Sequence, residues 1–294
     1  MKCLVIGAAG YLGRHLAPAL RAAGHEVSSV ARGGQAGLRV DVSDLKSLQS
    51  LDWDVDRVFL FAGVTGTTAS FTDYQTSVVG NQIGLLNVLD CIRQSGHRPR
   101  VMFPSTRLVY KGSELPLPET AELQAKTVYA ASKIACELHL QAYALAFGIP
   151  FTVFRICVPY GNAQGERYSY GTVGNFIQQA LDTGRIRLYG DGSLRRTFTH
   201  VDDICRAILL GSVREDFEND VFNIPGEDLS LLQAAGLIAT QLQATIELAP
   251  WPDFDARIES GSTVFDGAKL STRLPLLTQR KISEWVTSIS PPLR

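Results

Sequence analysis

A surplus of charge of either sign is the first thing this 294-residue sequence lacks: 28 Lys and Arg stand against 29 Asp and Glu, a formal net charge of −1 with histidine neutral. A nucleic-acid binder meets phosphates with a clear basic excess, so no nucleic-acid partner is expected. Long apolar runs are missing as well. The longest, Val58 to Val64, falls far short of the ~20 residues that cross a bilayer, and no membrane partner is expected. The opening Met1-Lys2-Cys3-Leu4-Val5-Ile6-Gly7 has neither the apolar length nor the small-residue cleavage site of a secretory signal, and there is no Asn-x-Ser/Thr sequon. Cysteine is scarce and unpatterned. Cys3, Cys91, Cys136, Cys157 and Cys205 are odd in number, far apart, and form no CxxC or Cys/His set at zinc spacing, which reads as small buried hydrophobes in a reducing compartment, with no metal. The expectation these absences share is a soluble cytoplasmic protein.

What is present is enough for a core. Hydrophobic residues make up 45% of the chain and charged residues 19%, a composition unlike that of disordered proteins, and the length allows one large domain or two modest ones. Through the first half, short apolar runs alternate with longer amphipathic segments. Runs at 4–6, 27–30, 58–61, 101–103 and 151–156 alternate with segments at 12–23, up to about 94, and at 128–147. That alternation predicts an α/β fold, a parallel sheet covered on both faces. Leu12, Leu16 and Leu20 share a helix face, Gly24 suits a helix C-terminus, and Ser43 is placed as an N-cap. After Tyr160-Gly161 a polar stretch, 162–174, reads as a loop over a pocket. A helix at 173–183, a strand at 186–189, a strand-helix unit at 198–211, a helix near 230–242, a strand near 245–248 and a helix near 278–289 are expected to follow.

Gly7-Ala8-Ala9-Gly10-Tyr11-Leu12-Gly13 follows the first strand and opens the first helix. Glycines there allow a tight turn, a close approach of backbone to a pyrophosphate, and close packing of helix on strand, while the helix N-terminus offers N–H groups. At the end of the second strand, an acid would bond the ribose 2′-hydroxyl of NAD. Here the strand ends Val30-Ala31-Arg32. Arg32 either pairs with the 2′-phosphate of NADP or is a solvated loop arginine. Asp41-Val42 either touches the adenine edge or starts a turn.

Tyr129 and Lys133 in Tyr-Ala-Ala-Ser-Lys share one helix face, and the ammonium lowers the pKa of the phenol, which makes Tyr129 a usable proton donor and acceptor. Ser105-Thr106 follows the strand at 101–103, where a hydroxyl projects into the crevice in which such folds bind ligands.

Together these segments resemble the short-chain dehydrogenase/reductase superfamily. Phe59-Leu60-Phe61-Ala62-Gly63, Asn81-Gln82-Ile83-Gly84-Leu85-Leu86-Asn87, Ser105-Thr106-Arg107-Leu108-Val109-Tyr110, Phe154-Arg155 through Tyr160-Gly161, and Arg195-Arg196-Thr197-Phe198-Thr199-His200-Val201-Asp202-Asp203 are similar to segments of its extended branch, the nucleotide-sugar epimerase/dehydratase/reductase family. The resemblance implies a Rossmann-type doubly wound sheet at 1–161 and 197–225, with a small interleaved substrate lobe at 162–196 and 226–294. It implies cofactor contacts at Gly7, Gly10, Tyr11, Leu12, Gly13, Arg32, Asp41, Val42, Phe61, Ala62, Gly63, Tyr129 and Lys133. By the same resemblance Tyr129 is the acid/base, Lys133 orients the nicotinamide ribose, Thr106 bonds the reacting sugar oxygen, and Arg196 holds a diphosphate, with Arg187 adding positive potential. For Arg185, Arg187 and Arg195 a solvated basic face is the alternative.

Two departures qualify the resemblance. The 4,6-dehydratases of the family carry Asp-Glu after the threonine, where this chain has Arg107-Leu108, and epimerases usually carry asparagine where this chain has Val158, followed by Pro159. The first makes dehydration unexpected, and the missing acid after the second strand then favours a 4-keto-6-deoxyhexose reductase using NADPH on a nucleoside diphosphate sugar, with NAD(H) as the other cofactor option. The alternative is a 4-epimerase that retains NAD. The similarity of 155–162 and of Tyr168-Ser169-Tyr170-Gly171-Thr172 to such reductases adds to the first reading. A non-catalytic NADP-sensing protein is disfavoured because Thr106, Tyr129 and Lys133 all stand. The segments at 72–94 and 128–147 correspond to the pair that forms a four-helix dimer interface in the extended branch, so a homodimer is expected.

Overall fold

The computed structural model describes residues 1–33, 38–161, 171–275, 277 and 279–289. The expected loop at 162–170, including Tyr168, Ser169 and Tyr170, lies outside the described residues, as does part of the expected helix near 278–289. Contacts divide the chain into two compact units. One comprises Met1–Val109, Gln124–Arg155 and Cys205–Phe222, the other Tyr110–Leu123, Ile156–Ile204 and Asn223–Arg294.

The first unit is built on strands β1 (Lys2–Ile6), β2 (Glu26–Ala31), β3 (Leu38–Arg39), β4 (Arg57–Leu60), β5 (Arg100–Thr106) and β6 (Phe151–Ile156). Parallel pairings join β1 to β2 and β4, β2 to β3, and β4 to β5. Successive side chains of β1 are buried whichever way they point, Leu4 and Ile6 in one cluster and Cys3 and Val5 on the opposite side, as a sheet covered on both faces requires. The mostly parallel sheet and its flanking helices form a Rossmann-type α/β fold.

Its helices start and stop where local chemistry dictates. Helix α1 (Tyr11–Ala22) buries Leu16 and Leu20 and is followed by Gly24 at φ +81°. The short α2 (Leu45–Gln49) is capped by Asp44, whose carboxylate accepts from the Lys46 N–H, and not by Ser43. The Ser43 side chain and N–H both donate to Asp41 instead, so the two adjacent capping residues divide the work differently from the sequence expectation. The expected single segment at 72–94 is broken into α3 (Ala69–Thr72), α4 (Tyr74–Val78), a π turn (Val79–Ile83) and α5 (Gly84–Ser95). Helix α6 (Val128–Phe147) begins at Thr127, whose hydroxyl accepts from the Ala130 N–H, and ends at left-handed Gly148. Leu85, Val88, Leu89 and Ile92 of α5 and Cys136 and Leu140 of α6 join Leu4, Ile6, Val58, Leu60, Val101 and Phe103 in one cluster.

In chain order there follow β7 (Val158–Tyr160), α7 (Gly171–Thr183), β8 (Arg185–Tyr189), β9 (Arg195–His200), α8 (Val201–Ser212), β10 (Asp220–Asn223), β11 (Glu227–Ser230), α9 (Leu231–Leu242), β12 (Thr245–Ala249), α10 (Asp253–Ile258), α11 (Ala268–Arg273) and α12 (Ile282–Val286). Strand β10 completes the first sheet, in the order β10-β6-β5-β4-β1-β2-β3. The second unit carries a three-stranded sheet, β11-β9-β7, and a two-stranded one, β12-β8. Among the described residues no helix is long and apolar enough to cross a membrane, and no cluster of His, Cys, Asp and Glu is arranged to hold a metal ion.

Candidate active site

The turn after β1 is shaped by its glycines. Gly7 has φ +94°, and a Cβ on it would lie 2.3 Å from the Ala62 nitrogen. A Cβ on Gly13 would lie 2.3 Å from the Gly7 carbonyl oxygen, so both positions are closed to any side chain. Gly10 is the N-cap of α1 and has no side chain to bond the N–H groups of the first turn, the end of a helix at which anions bind.

A cavity of about 600 Å³ opens beside this turn, a size that suits a dinucleotide or a comparable ligand. Of the residues expected at a cofactor, Gly7, Gly10, Arg32, Asp41, Val42, Phe61, Ala62 and Gly63 line it, while Tyr11, Leu12, Gly13, Tyr129 and Lys133 do not. Ser43, Val64, Gln75, Thr76, Val79 and Gly80 also line it and were not foreseen. The spacing of 75, 76, 79 and 80 on one helical face is the signal that would have found four of them. Burial pushes the Asp41 carboxyl up, but hydrogen bonds from Ser43 and the positive charges of Arg32 and Arg39 outweigh it and hold the group below its ordinary value.

Two asparagines support the cavity wall. Asn81, buried in the π turn, accepts from the Val64 N–H at 2.8 Å and donates to the Val64 carbonyl at 3.0 Å. Asn87 donates to the Val42 carbonyl at 2.9 Å. Gly80 and Gly84 give these loops room, since a Cβ at either would lie 2.8 or 2.6 Å from a methyl of Val64 or Val42.

At the C-terminal end of β5, Thr106 is buried and its hydroxyl oxygen accepts from the Leu108 N–H at 3.3 Å. The buried ammonium of Lys133 donates to the Pro104 carbonyl at 2.8 Å and lies 4.3 Å from the centroid of the Phe103 ring. α6 and the end of β5 therefore meet through Lys133, with Tyr129 one turn earlier on the same helix. Burial pulls the Lys133 ammonium below its ordinary value, against the opposing influence of Cys136 and Glu137. The Tyr129 N–H donates to the hydroxyl of buried Ser70 at 3.2 Å, a support for the helix start that the sequence did not announce.

The arginines expected at the substrate are engaged within the protein. Arg196 is 2% exposed and bonds the Gly261 carbonyl and, at 2.7 Å, a carboxylate oxygen of Glu259. Arg187 is exposed and pairs with Glu247, its register partner across β12 and β8, and Arg195 pairs with Asp228. Val158 is buried in β7, opposite Phe198 of β9.

The NAD dependent epimerase/dehydratase family model matches residues 3–224. The chain belongs to this family. It is an enzyme of the extended short-chain dehydrogenase/reductase type, and its glycine turn and cavity fit the nicotinamide dinucleotide on which the family depends. The chain is 28% identical over 251 aligned positions to a UDP-N-acetyl-alpha-D-glucosaminuronate decarboxylase of Bacillus cytotoxicus, covering 79% of this chain and 77% of the relative. It is 28% identical over 326 aligned positions to a dTDP-L-rhamnose 4-epimerase of Burkholderia thailandensis, covering 93% and 88%. The crystal structure of the dTDP-glucose 4,6-dehydratase from Streptomyces venezuelae with NAD bound is similar at a TM-score of 0.86 and 25% identity, over 98% of this chain and 95% of that one. The UDP-glucose 4-epimerase of Thermotoga maritima with UDP-glucose is similar at 0.85 and 25%, over 98% and 96%.

Proposed function

We propose that this enzyme moves a hydride at a sugar carbon of a nucleoside diphosphate sugar, and that its net reaction is epimerisation at C4. The observation that carries the reading is the junction of α6 with β5. Lys133 reaches the carbonyl two residues before Thr106, one helical turn from Tyr129. In this reading the Tyr129 phenolate, stabilised by the Lys133 charge, takes the proton from the sugar oxygen as the hydride leaves, and the neutral hydroxyl so formed returns it when the hydride comes back. The Thr106 hydroxyl donates to the same sugar oxygen. A bound nicotinamide supplies the hydride acceptor and donor. Gly7 and Gly10 hold the pyrophosphate, Asp41 and Val42 the adenine, and Phe61, Ala62 and Gly63 the wall beside it.

The similarity to the dTDP-L-rhamnose and UDP-glucose 4-epimerases supports the epimerase, and Arg107-Leu108, in place of Asp-Glu, speaks against dehydration. A second reading, an NADPH-dependent reductase of a 4-keto-6-deoxyhexose, draws on Arg32. Arg32 lines the cavity at the end of β2 where NAD-binding chains place an acid, and a guanidinium there suits a 2′-phosphate. Residues 1–161 and 197–225 bind the dinucleotide in either case, and 162–196 and 226–294 the sugar nucleotide. Arg196 can hold a diphosphate only by exchanging Glu259 for it, whereas Arg187 need give up only an exposed pair with Glu247. Exposed Tyr74 and Ile83 on one segment and Leu138 and Leu145 on α6 support a homodimer, which light scattering at micromolar concentration tests. Five buried cysteines, none of them in a disulfide among the described residues, support residence in the cytoplasm.

The deciding experiment incubates the purified protein with UDP- and dTDP-hexoses without added reductant and looks by NMR for the C4 epimer. A parallel assay follows the reduced-nicotinamide absorbance with a nucleoside-diphosphate 4-keto-6-deoxyhexose and NADPH or NADH. An epimer formed by the wild type and lost in Tyr129→Phe establishes the first reading. Consumption of NADPH, reduced in Arg32→Glu, establishes the second. An unchanged biological role in Tyr129→Phe with neither activity points to a cofactor sensor.

A further inference from the structure

Beneath the reacting groups lies a charged pair that the proposed chemistry does not use. Glu137 stands one turn beyond Lys133 on α6 and therefore on the same helix face as Tyr129 and Lys133. Both Glu137 and Arg155 are buried. The guanidinium grips the carboxylate at two points, Arg155 Nε to Glu137 Oε1 at 3.1 Å and Nη2 to Oε2 at 2.6 Å. The same Oε1 accepts from the Ser105 hydroxyl at 2.5 Å. Ser105 lies between Pro104, whose carbonyl takes the Lys133 ammonium, and Thr106. The end of β5 is thus tied to α6 twice, through Lys133 and through Ser105, and β6 holds the second tie from below through Arg155.

A buried ion pair is weak evidence for stability, because well-packed apolar residues in its place often do as well. Its geometry offers another use. We propose that Ser105, Glu137 and Arg155 are positioning residues that set Thr106 against Tyr129 and Lys133 and keep a carboxylate within reach of the Lys133 charge. The roles of Thr106, Tyr129 and Lys133 rest on the reading of function above. Lys133 faces the Phe103 ring and the Pro104 carbonyl from β5 and Cys136 and Glu137 from its own helix, while Glu137 faces Arg155 from β6 and the Ser105 hydroxyl from β5.

The test has one arm that needs no substrate. In the full-length protein labelled at lysine ¹³Cε, with the Lys133 signal assigned by Lys133→Met, Glu137→Gln moves the Lys133 titration to lower pH, because a nearby negative charge has been removed. An unmoved titration overturns the proposal, whatever the enzyme's substrate proves to be. The second arm uses Ser105→Ala, which leaves the ion pair intact and so is safe for folding, and Ser105→Thr, which restores the hydroxyl. Ser105→Ala lowers kcat about tenfold, the scale of a sub-ångström misplacement, with KM and cofactor affinity unchanged, and Ser105→Thr recovers most of the loss. Wild-type kcat in Ser105→Ala overturns the proposal. A moved Lys133 titration in a protein that turns over no nucleotide sugar supports the positioning network and removes the epimerase and reductase readings, so the two failures are separable.

Discussion

The Asn81 side chain grips the backbone of Val64 at both its N–H and its carbonyl, at 2.8 and 3.0 Å. The grip holds the loop after β4 against the π turn, where Val64, Val79 and Gly80 all border the dinucleotide cavity. Asn81→Ala strands two backbone groups in a half-buried setting, at a cost of up to about 1–3 kcal/mol for each one that water does not reach. The expected outcome is a lower urea midpoint and a cofactor affinity weakened in parallel, read by titration of nicotinamide fluorescence. Full affinity in a destabilised variant would show that the loop holds its place without the amide.

Gly7 and Gly24 share a backbone requirement and differ in their surroundings. Both have positive φ, +94° and +81°, so alanine at either bears the left-handed penalty of about 1–2 kcal/mol. A Cβ on Gly24 meets nothing within 4 Å, whereas one on Gly7 lies 2.3 Å from the Ala62 nitrogen. Gly24→Ala is expected to lose only that small amount of stability and to bind cofactor normally. Gly7→Ala is expected to push the end of β1 away from Ala62 and abolish cofactor binding. Denaturation and cofactor titration of the two variants side by side measure the difference, and equal effects would contradict the crowding argument.

Lys133 makes stability depend on pH. Burial holds its folded pKa below the ordinary 10.5. Between that depressed value and 10.5 the unfolded chain keeps a proton that the folded chain has released, so stability rises with pH across this window. Below it both states are protonated and the burial penalty is constant. The stability difference in favour of Lys133→Met over wild type is therefore expected to shrink as pH rises towards 10.5, whatever the lost bond to Pro104 contributes. Urea unfolding of both proteins at stepped pH checks it, and a constant or widening difference would mean that the ammonium is not strained by burial.

Much of this was legible because it is periodic or glycine-dependent. The unbroken apolar runs at 4–6 and 101–103 mark strands buried on both faces, the face formed by Leu16 and Leu20 obeys a period of 3.6, and Gly7 and Gly13 stand where side chains cannot. The π turn at 79–83 was not legible, since one extra residue in a helical ladder scarcely disturbs the apolar pattern. Asp44 displaced Ser43 as a cap because both can do it and only three-dimensional context chooses. The burial of Arg196 depends on Glu259, and that of Glu137 on Arg155 and Ser105, partners 63, 18 and 32 residues away, which no local pattern announces.

The pair of Glu137 and Arg155 separates stability from function. Arg155→Leu leaves the carboxylate buried with Ser105 as its remaining donor, and Glu137→Leu leaves a buried guanidinium, each expected to cost about 3–5 kcal/mol. The double variant leaves no uncompensated charge and is expected to recover most of that loss, so the two single effects add up to far more than the double. Urea denaturation of the four proteins measures the coupling, and additive losses would show that the two side chains act independently. The double variant also has no carboxylate for the Ser105 hydroxyl. If the pair served only to hold the fold, restored stability would bring back full turnover. A double variant that folds nearly as well as wild type and turns over slowly, with KM unchanged, would instead show that the pair places Thr106 and Lys133, a geometry that apolar packing at the same positions does not replace.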